Sequence, residues 1–533
     1  MTTTNRRSFL GAGALAVGAL SMAGATTPAS AAPGTRTGNT YRSVTANSDQ
    51  YFDLCQGTNL RWSGTPKRIA FPRDAAEVAT ELRNVLSSRL KPAVRSGGHC
   101  YEDFVSNPSI SAIIDLSAIT QVRWDATMGA FEIGAGAQLG AVYQLLYKQW
   151  GVYAPGGNCP TVAAGGHIAG GGYGAFNRRD GLISDHLHAV EVVFVDHRGQ
   201  VKSVVATDSP EDPHHDLWWA YTGGGGGNFG VAVRYWLRSP GAAGSPPERA
   251  LPTPPKTVWL STVSWNWDAI DEARFVRLLD NHGRWHEAHS GADAPESGLF
   301  SQLKTWHRSN GQITMDTLMD ADVPGAEAIL QGYVDDVSAG IPRATVQQHR
   351  QVPWMQATQW QGFTGLDSTR RFDGKSAYLR KNYTPEMAKA AYRHLVREDF
   401  DNAGALLMLA SYGGSVNSLA PTDRACAQRD SIIKMQVVSI WDDAADDDAN
   451  VDWTRNTYHD IFSATGGVPV PNEVTDGCFI NYCDTDLDDP SWNTSGRSAH
   501  ELYYKENLTR LKEIRRRYDP RGVLQHAQSL PFS

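Results

Sequence analysis

Two glycine-lined turns, Arg95-Ser96-Gly97-Gly98-His99 and Gly156-Gly157-Asn158-Cys159-Pro160-Thr161-Val162, each carry one nucleophilic side chain. The second turn runs on into Gly165-Gly166-His167 and Gly170-Gly171-Gly172-Tyr173-Gly174. Glycine tolerates φ > 0 and lets the backbone come close to a ligand. Successive bare N–H groups form anion-binding nests. A chain with two such turns is suited to grip a large phosphate-bearing cofactor by its backbone and to fix it by covalent bonds. FAD held through His99 and Cys159 fits both requirements best. A lone loop histidine is ordinarily a surface or hydrogen-bonding residue, and a lone cysteine a small buried hydrophobe. Cys159, however, sits in a polar turn before Pro160, which is not a core setting. The two turns together carry what neither carries alone.

The chain has 533 residues, enough for two to four domains. Its net charge of −8 and the absence of a basic tract argue against a nucleic-acid partner. Residues 1–31 read as a twin-arginine signal peptide. Asn5-Arg6-Arg7-Ser8-Phe9-Leu10 is followed by a Gly- and Ala-rich apolar stretch and by the small-residue cleavage site Ala29-Ser30-Ala31. The expected location is therefore secreted, with no membrane attachment after signal cleavage, since no later segment reaches the ~20 apolar residues that span a bilayer. The cysteines are Cys55, Cys100, Cys159, Cys426, Cys478 and Cys483, with no Cys-x-x-Cys spacing. With Cys159 on the cofactor, five remain. A Cys478–Cys483 disulfide is one pairing the sequence permits without favouring it.

Short apolar runs alternate with glycine turns from Lys67 to Trp236. Ile110–Leu116 and Ala189–Val195 read as buried strands and Lys91–Val94 as a further strand. Ala75–Leu86 and Leu139–Trp150 read as amphipathic helices. The stretch Ser239–Pro255, rich in Pro and Gly, marks a boundary. Beyond it, the strand-like Thr257–Trp265 and the helix-like Asp271–His282 point to a second, substrate-covering domain. Glu501–Tyr518 reads as one periodic helix with a basic end, stopped by Asp519-Pro520.

Five stretches carry a family resemblance: RSGGH (95–99), CPTVAAGGHIAGGGYG (159–174), DLWWAYTGGGGGNFGVAVRY (216–235), INYCD (480–484) and the tail YKENLTRLKEIRRRYDPRGVLQHAQSL (504–530). In these the chain resembles the berberine bridge enzyme-like FAD-linked oxidases, within the vanillyl-alcohol-oxidase type of flavoproteins. Its pattern is nearest to bacterial members that oxidise sugars, glycosylated antibiotics or polyketides. The resemblance implies an α+β fold: a PCMH-type FAD-binding domain and a substrate domain whose antiparallel sheet is covered by helices. It implies the division 45–240, 241–479 and 480–533, the last segment returning to the FAD domain. It also implies FAD bound bicovalently, His99 to the 8α carbon and Cys159 to C6. Cofactor contacts are expected from Arg95, Ser96, Gly97, Gly98, Thr161, Val162, Gly165, Gly166, His167, Gly170, Gly171, Gly172 and Gly174. Asn228, Phe229 and Gly230, after the run Gly223–Gly227, and Asn481 complete the set.

Taking a hydride from an alcohol requires a group that accepts the hydroxyl proton. A phenol with its ordinary pKa near ~10 must be tuned downward to do so. Of the 19 tyrosines, Tyr482, Tyr412 and Tyr173 stand in matching motifs. The resemblance makes Tyr482 the base, Tyr412 a second candidate and Tyr173 a helper. The resemblance also implies oxygen as acceptor: in that family the position of Val162 borders the flavin, and valine leaves more room there than leucine. The expected substrate is a sugar, glycoside or hydroxylated polyketide, oxidised with O2 to give H2O2. An oxidative cyclase or amine oxidase, and a flavin-bearing drug-sequestering protein, are the alternatives. His186, His188, His214 and His215 are close in sequence but lack a zinc-protease pattern, so no metal is expected.

Overall fold

The computed structural model describes residues 41–364 and 369–532. The signal segment and the twin arginines lie outside them. Residues from Tyr41 onward form one compact unit of α+β class, built on three sheets. The first sheet runs Arg42–Val44, Arg68–Phe71, Ala112–Asp115, Pro92–Arg95; its outer pair is antiparallel and the other two pairings are parallel. The second is antiparallel throughout: Val122–Asp125, Ala130–Gly134, Val231–Leu237, Leu187–Val195, Val201–Thr207. The third has seven antiparallel strands in the order Thr345–Pro353, Thr257–Asn266, Gln312–Asp320, Leu299–Trp306, Leu406–Ser411, Ile433–Trp441, Arg371–Leu379. The second sheet ends at Leu237 and the third begins at Thr257, on either side of the Pro- and Gly-rich run.

Local sequence explains the elements that position the site. Ala75–Ser87 starts at Asp74, whose carboxylate accepts the Glu77 N–H, and buries Val78, Leu82 and Val85 on one face. It packs against Leu187–Val195 and Val201–Thr207. Leu139–Trp150 ends where Gly151 turns to φ 69°. In the seven-stranded sheet, period-two alternation sorts the side chains by face. On Ile433–Trp441, residues Ile433, Met435 and Val437 join the main core. The helix Asp447–Ile461 covers this strand and its neighbour Arg371–Leu379, while Ala326–Val337 covers Gln312–Asp320. Lys434, Gln436, Val438 and Ile440 alternate with the core residues and so turn to the other face.

Two sequence expectations change, and one open pairing is decided. The strand expected over Ile110–Leu116 is shorter, Ala112–Asp115, because the Asp115 side chain caps a 3-10 turn that begins at Leu116. Glu501–Tyr518 is not one helix. It breaks into Ala499–Tyr504 and Leu508–Tyr518 around Lys505, whose φ of 49° is left-handed. Tertiary contacts hold that kink: Lys505 Nζ reaches the Ala427 carbonyl at 3.0 Å and the Asp476 carboxylate at 2.7 Å. Cys478 and Cys483 are not bridged. Cys478 Sγ lies 3.4 Å from the Tyr458 hydroxyl, and Cys483 Sγ faces Cys100.

The C-terminal segment runs back along the N-terminal sheets. Tyr504 donates to the Gly224 carbonyl (3.0 Å), and the Leu530 N–H donates to Asn228 Oδ1 (3.0 Å). These bonds fasten the tail to the glycine run.

Candidate active site

Strand Pro92–Arg95 delivers the first turn. Arg95 is spent on bracing it: its guanidinium pairs with Asp115 at 2.6 Å and donates to the carbonyls of Leu54 and Gln56 at 2.7 and 3.0 Å. Ser96 donates to the Ala135 carbonyl. Gly98 adopts φ 75°, a conformation in which a Cβ is disfavoured. The second turn is pinned by Tyr143, which donates to the Gly157 carbonyl at 2.6 Å, and by His167 Nε2, which accepts the Gly157 N–H at 2.9 Å. Burial holds the His167 imidazole down at about 3, so it stays neutral and keeps that acceptor. The two turns meet, with His99 Nε2 lying 2.9 Å from Thr161 Oγ1.

Between these turns, the glycine run and the polar face of the seven-stranded sheet lies a cavity of about 390 Å³, within the ~300–1,000 Å³ usual for small-molecule sites. Its walls include His99, Cys159, Arg95, Ser96, Gly97, Gly98, Val162, Gly165, Gly166, His167, Asn228, Gly230, Asn481, Tyr173 and Tyr482. The remaining expected residues stand behind the wall. Thr161 contacts His99. Gly170 is packed against Asn481, Gly171 against Cys426, Gly172 against the His167 ring and Gly174 against the Gly156 carbonyl. Phe229 is fully buried against Tyr221.

The expected tyrosines separate. Tyr173 and Tyr482 share a hydrogen bond of 3.0 Å at the cavity wall. Tyr412 is fully buried behind Tyr173, its ring 6.3 Å away, and does not line the cavity. The expected downward tuning of a phenol is not what burial produces. It pushes Tyr173 up to about 12 and Tyr482 well above its ordinary value.

Sequence reasoning missed the groups that complete this cluster. Lys434 is fully enclosed, with Nζ 3.0 Å from the centre of the Phe479 ring, 3.6 Å from Tyr173 and 5.0 Å from Tyr482. Its Nζ makes no hydrogen bond among the described residues, and burial drives its pKa well below the ordinary lysine value. Tyr101 stacks on Tyr482, with ring centres 4.8 Å apart, and accepts from Gln436 Nε2 at 2.8 Å. The signal was present in SIIKMQVVSIW, where Lys434 and Gln436 interrupt an apolar strand on the same face.

Beyond the tyrosines, the cavity is lined by Gln302, Gln436, Phe372, Met408, Val438 and Ile440. This gives an apolar shelf with two amide groups on it. The four neighbouring histidines serve separate contacts: His186 with Ser239, His188 with Asp208, His214 with Tyr518, and His215 with the Thr207 carbonyl. Among the described residues, no cluster of His, Cys, Asp and Glu has the makings of a metal site.

The residues present fit FAD. A Cβ on Gly166 or Gly226 would meet nothing within 4 Å, so both backbones face open cavity space. The nucleophilic side chains of His99 and Cys159 reach the same cavity as the tyrosine pair.

Comparison with known proteins agrees with this geometry. A family model described as an FAD binding domain matches residues 66–204, and one described as berberine and berberine like matches residues 478–531. The aclacinomycin-N/aclacinomycin-A oxidase of Streptomyces galilaeus is 45% identical over 484 residues, covering 90% of this chain and 88% of its own. The hexose oxidase of Chondrus crispus is 28% identical, covering 89% of this chain and 92% of its own. The crystal structure of a glycopeptide hexose oxidase complexed with teicoplanin superposes with a TM-score of 0.88 at 42% identity, covering 92% of this chain and 99% of that one.

Proposed function

Because the chain belongs to the berberine bridge enzyme-like family of FAD-linked oxidoreductases, we propose that it dehydrogenates a CH–OH group of a sugar, a glycosylated natural product or a hydroxylated polyketide, with O2 as acceptor and H2O2 as product. The observation that carries this reading is the Tyr482–Tyr173 pair, which opens onto the same cavity as His99 and Cys159. FAD would be held by both nucleophiles. The segments 45–240 and 480–533 would form its binding part and 241–479 the substrate cover, and the protein would leave the cytoplasm by twin-arginine export. When bound, FAD supplies the hydride acceptor and the route of electrons to oxygen.

The chain supplies placement and proton handling. Tyr482 and Tyr173 share a hydrogen bond, and Lys434 lies over the Tyr173 ring. Burial drives the Lys434 pKa well below its ordinary value. Tyr482, as the phenolate, would take the proton from the substrate hydroxyl, with the Tyr173 hydroxyl donating to it. Gln302 and Gln436 would hydrogen-bond sugar hydroxyls, and Phe372, Met408, Val438 and Ile440 would receive an apolar aglycone. A cyclase or a sequestering protein is not favoured, since the relatives above are named as oxidases. The test is oxygen uptake with peroxide release across a panel of oligosaccharides, glycosylated antibiotics and hydroxylated polyketides. Stoichiometric peroxide with a member of the panel is expected. Tight binding of panel members with no oxygen uptake would contradict it.

A further inference from the structure

The segment that follows His99 runs alongside the segment that follows Tyr482. Tyr101 stacks on Tyr482. Glu102 Oε1 accepts from Thr485 N–H at 3.0 Å and from the Thr485 hydroxyl at 3.1 Å. Between these contacts, Cys100 Sγ and Cys483 Sγ lie 3.8 Å apart. Both line the cavity, Cys100 partly exposed to it and Cys483 buried. Three of the other cysteines have surroundings of their own: Cys55 lies in the small N-terminal core, Cys426 under Gly171 and Cys478 against Tyr458.

We propose that Cys100 and Cys483 form a redox-active dithiol that hydrogen peroxide converts to a disulfide, cross-linking the His99 turn to the Tyr482 turn. The oxidant is the product of the activity proposed above, and the inference rests on that reading only for the source of peroxide. The chemistry balances in two steps. The Cys100 thiolate attacks one peroxide oxygen, the O–O bond breaks, and water leaves with Cys100 as a sulfenic acid. The Cys483 sulfur then attacks Cys100 Sγ, the S–O bond breaks, and a second water leaves with the disulfide formed. Each sulfur loses one electron and each peroxide oxygen gains one. Cys100 is the first sulfur to be oxidised because it is the one partly exposed at the cavity. The hydrogen bond to Cys100, with burial, raises the Cys483 thiol and keeps it protonated as the resolving partner. The sulfurs must close from 3.8 Å to about 2.05 Å, a side-chain rotation in turns that are already stitched on both sides.

Such a bond would fix the Tyr101–Tyr482 stack across the catalytic wall. It would appear as an enzyme works, when peroxide is being made beside it.

The test uses the holoenzyme, first reduced and freed of oxygen. One sample receives hydrogen peroxide without substrate. A second turns over an active substrate in air. Both are then unfolded without reductant, alkylated with iodoacetamide, digested and mapped by mass. The expected product in both is a peptide pair joined through Cys100 and Cys483, lighter by two hydrogens and separated by dithiothreitol, with Cys55, Cys426 and Cys478 alkylated. Cys483→Ser should instead leave Cys100 as a sulfenic acid that dimedone captures. If added peroxide leaves Cys100 and Cys483 both alkylated, or takes either to sulfinic acid without a cross-link, the inference is overturned. A cross-link with added peroxide but none on turnover supports the dithiol and counts against the oxidase reading.

Discussion

Tyr482 Oη and Tyr173 Oη, 3.0 Å apart, concentrate the proton chemistry on one hydroxyl pair at the cavity wall. Tyr482→Phe removes a hydroxyl and leaves the ring that stacks on Tyr101. It should slow flavin reduction by substrate about 10²–10⁴-fold while flavin stays bound. Anaerobic stopped-flow reduction reads this directly, and an unchanged rate would remove Tyr482 from its role. Val162 lines the cavity and packs against the cluster that holds Tyr173. Val162→Leu adds one methylene to that wall. Reoxidation of reduced flavin by oxygen should slow while reduction by substrate stays close to wild type. Equal reoxidation rates in wild type and variant would show that Val162 only packs the turn.

At the scale of elements, the stitch between 99–102 and 482–485 depends on a carboxyl that burial raises to about 7. A raised carboxyl favours folding while protonated. Its contribution is therefore full below the unfolded value near 4.5 and fades as pH rises to about 7. Glu102→Gln keeps an oxygen that accepts from Thr485 and removes the titration. The wild-type Tm should fall relative to the variant between pH ~5 and ~7.5, as followed by thermal melts across that range. Parallel Tm–pH curves would contradict the assignment. Elements with a strong local signal were legible in the sequence. The helix Leu139–Trp150 shows a clear apolar period, and the strand Ala189–Val195 is an apolar run interrupted only by Glu191. The break at Lys505 was not legible, because the force behind it is an ion pair to Asp476, distant in sequence. The interruption at Lys434 was visible in the sequence, but its place in the site was not. Its significance comes from four rings, those of Tyr173, Tyr378, Phe479 and Tyr482, that surround it only in the fold.

For the whole molecule, the cavity is a joint product of distant parts. The N-terminal turns supply His99 and Cys159, the seven-stranded sheet supplies Gln436 and Met408, and the C-terminal segment supplies Tyr482. Buried ion pairs bind these parts together. Arg429 holds Asp185 at 2.7 Å, and Lys375 holds Asp484 and Asp486 at 2.6 Å each. The glycine turns announced the nucleophiles in the sequence, but only the fold brings them to one cavity with the tyrosine pair. Flavin held there by two bonds, through His99 and Cys159, is the proposal to test first. The direct measurement is flavin retention after acid precipitation, in wild type, His99→Ala, Cys159→Ala and the double variant. Wild type and both single variants should keep their flavin on the unfolded chain, while the double variant releases it all. Release of flavin from acid-precipitated wild type would contradict the proposal.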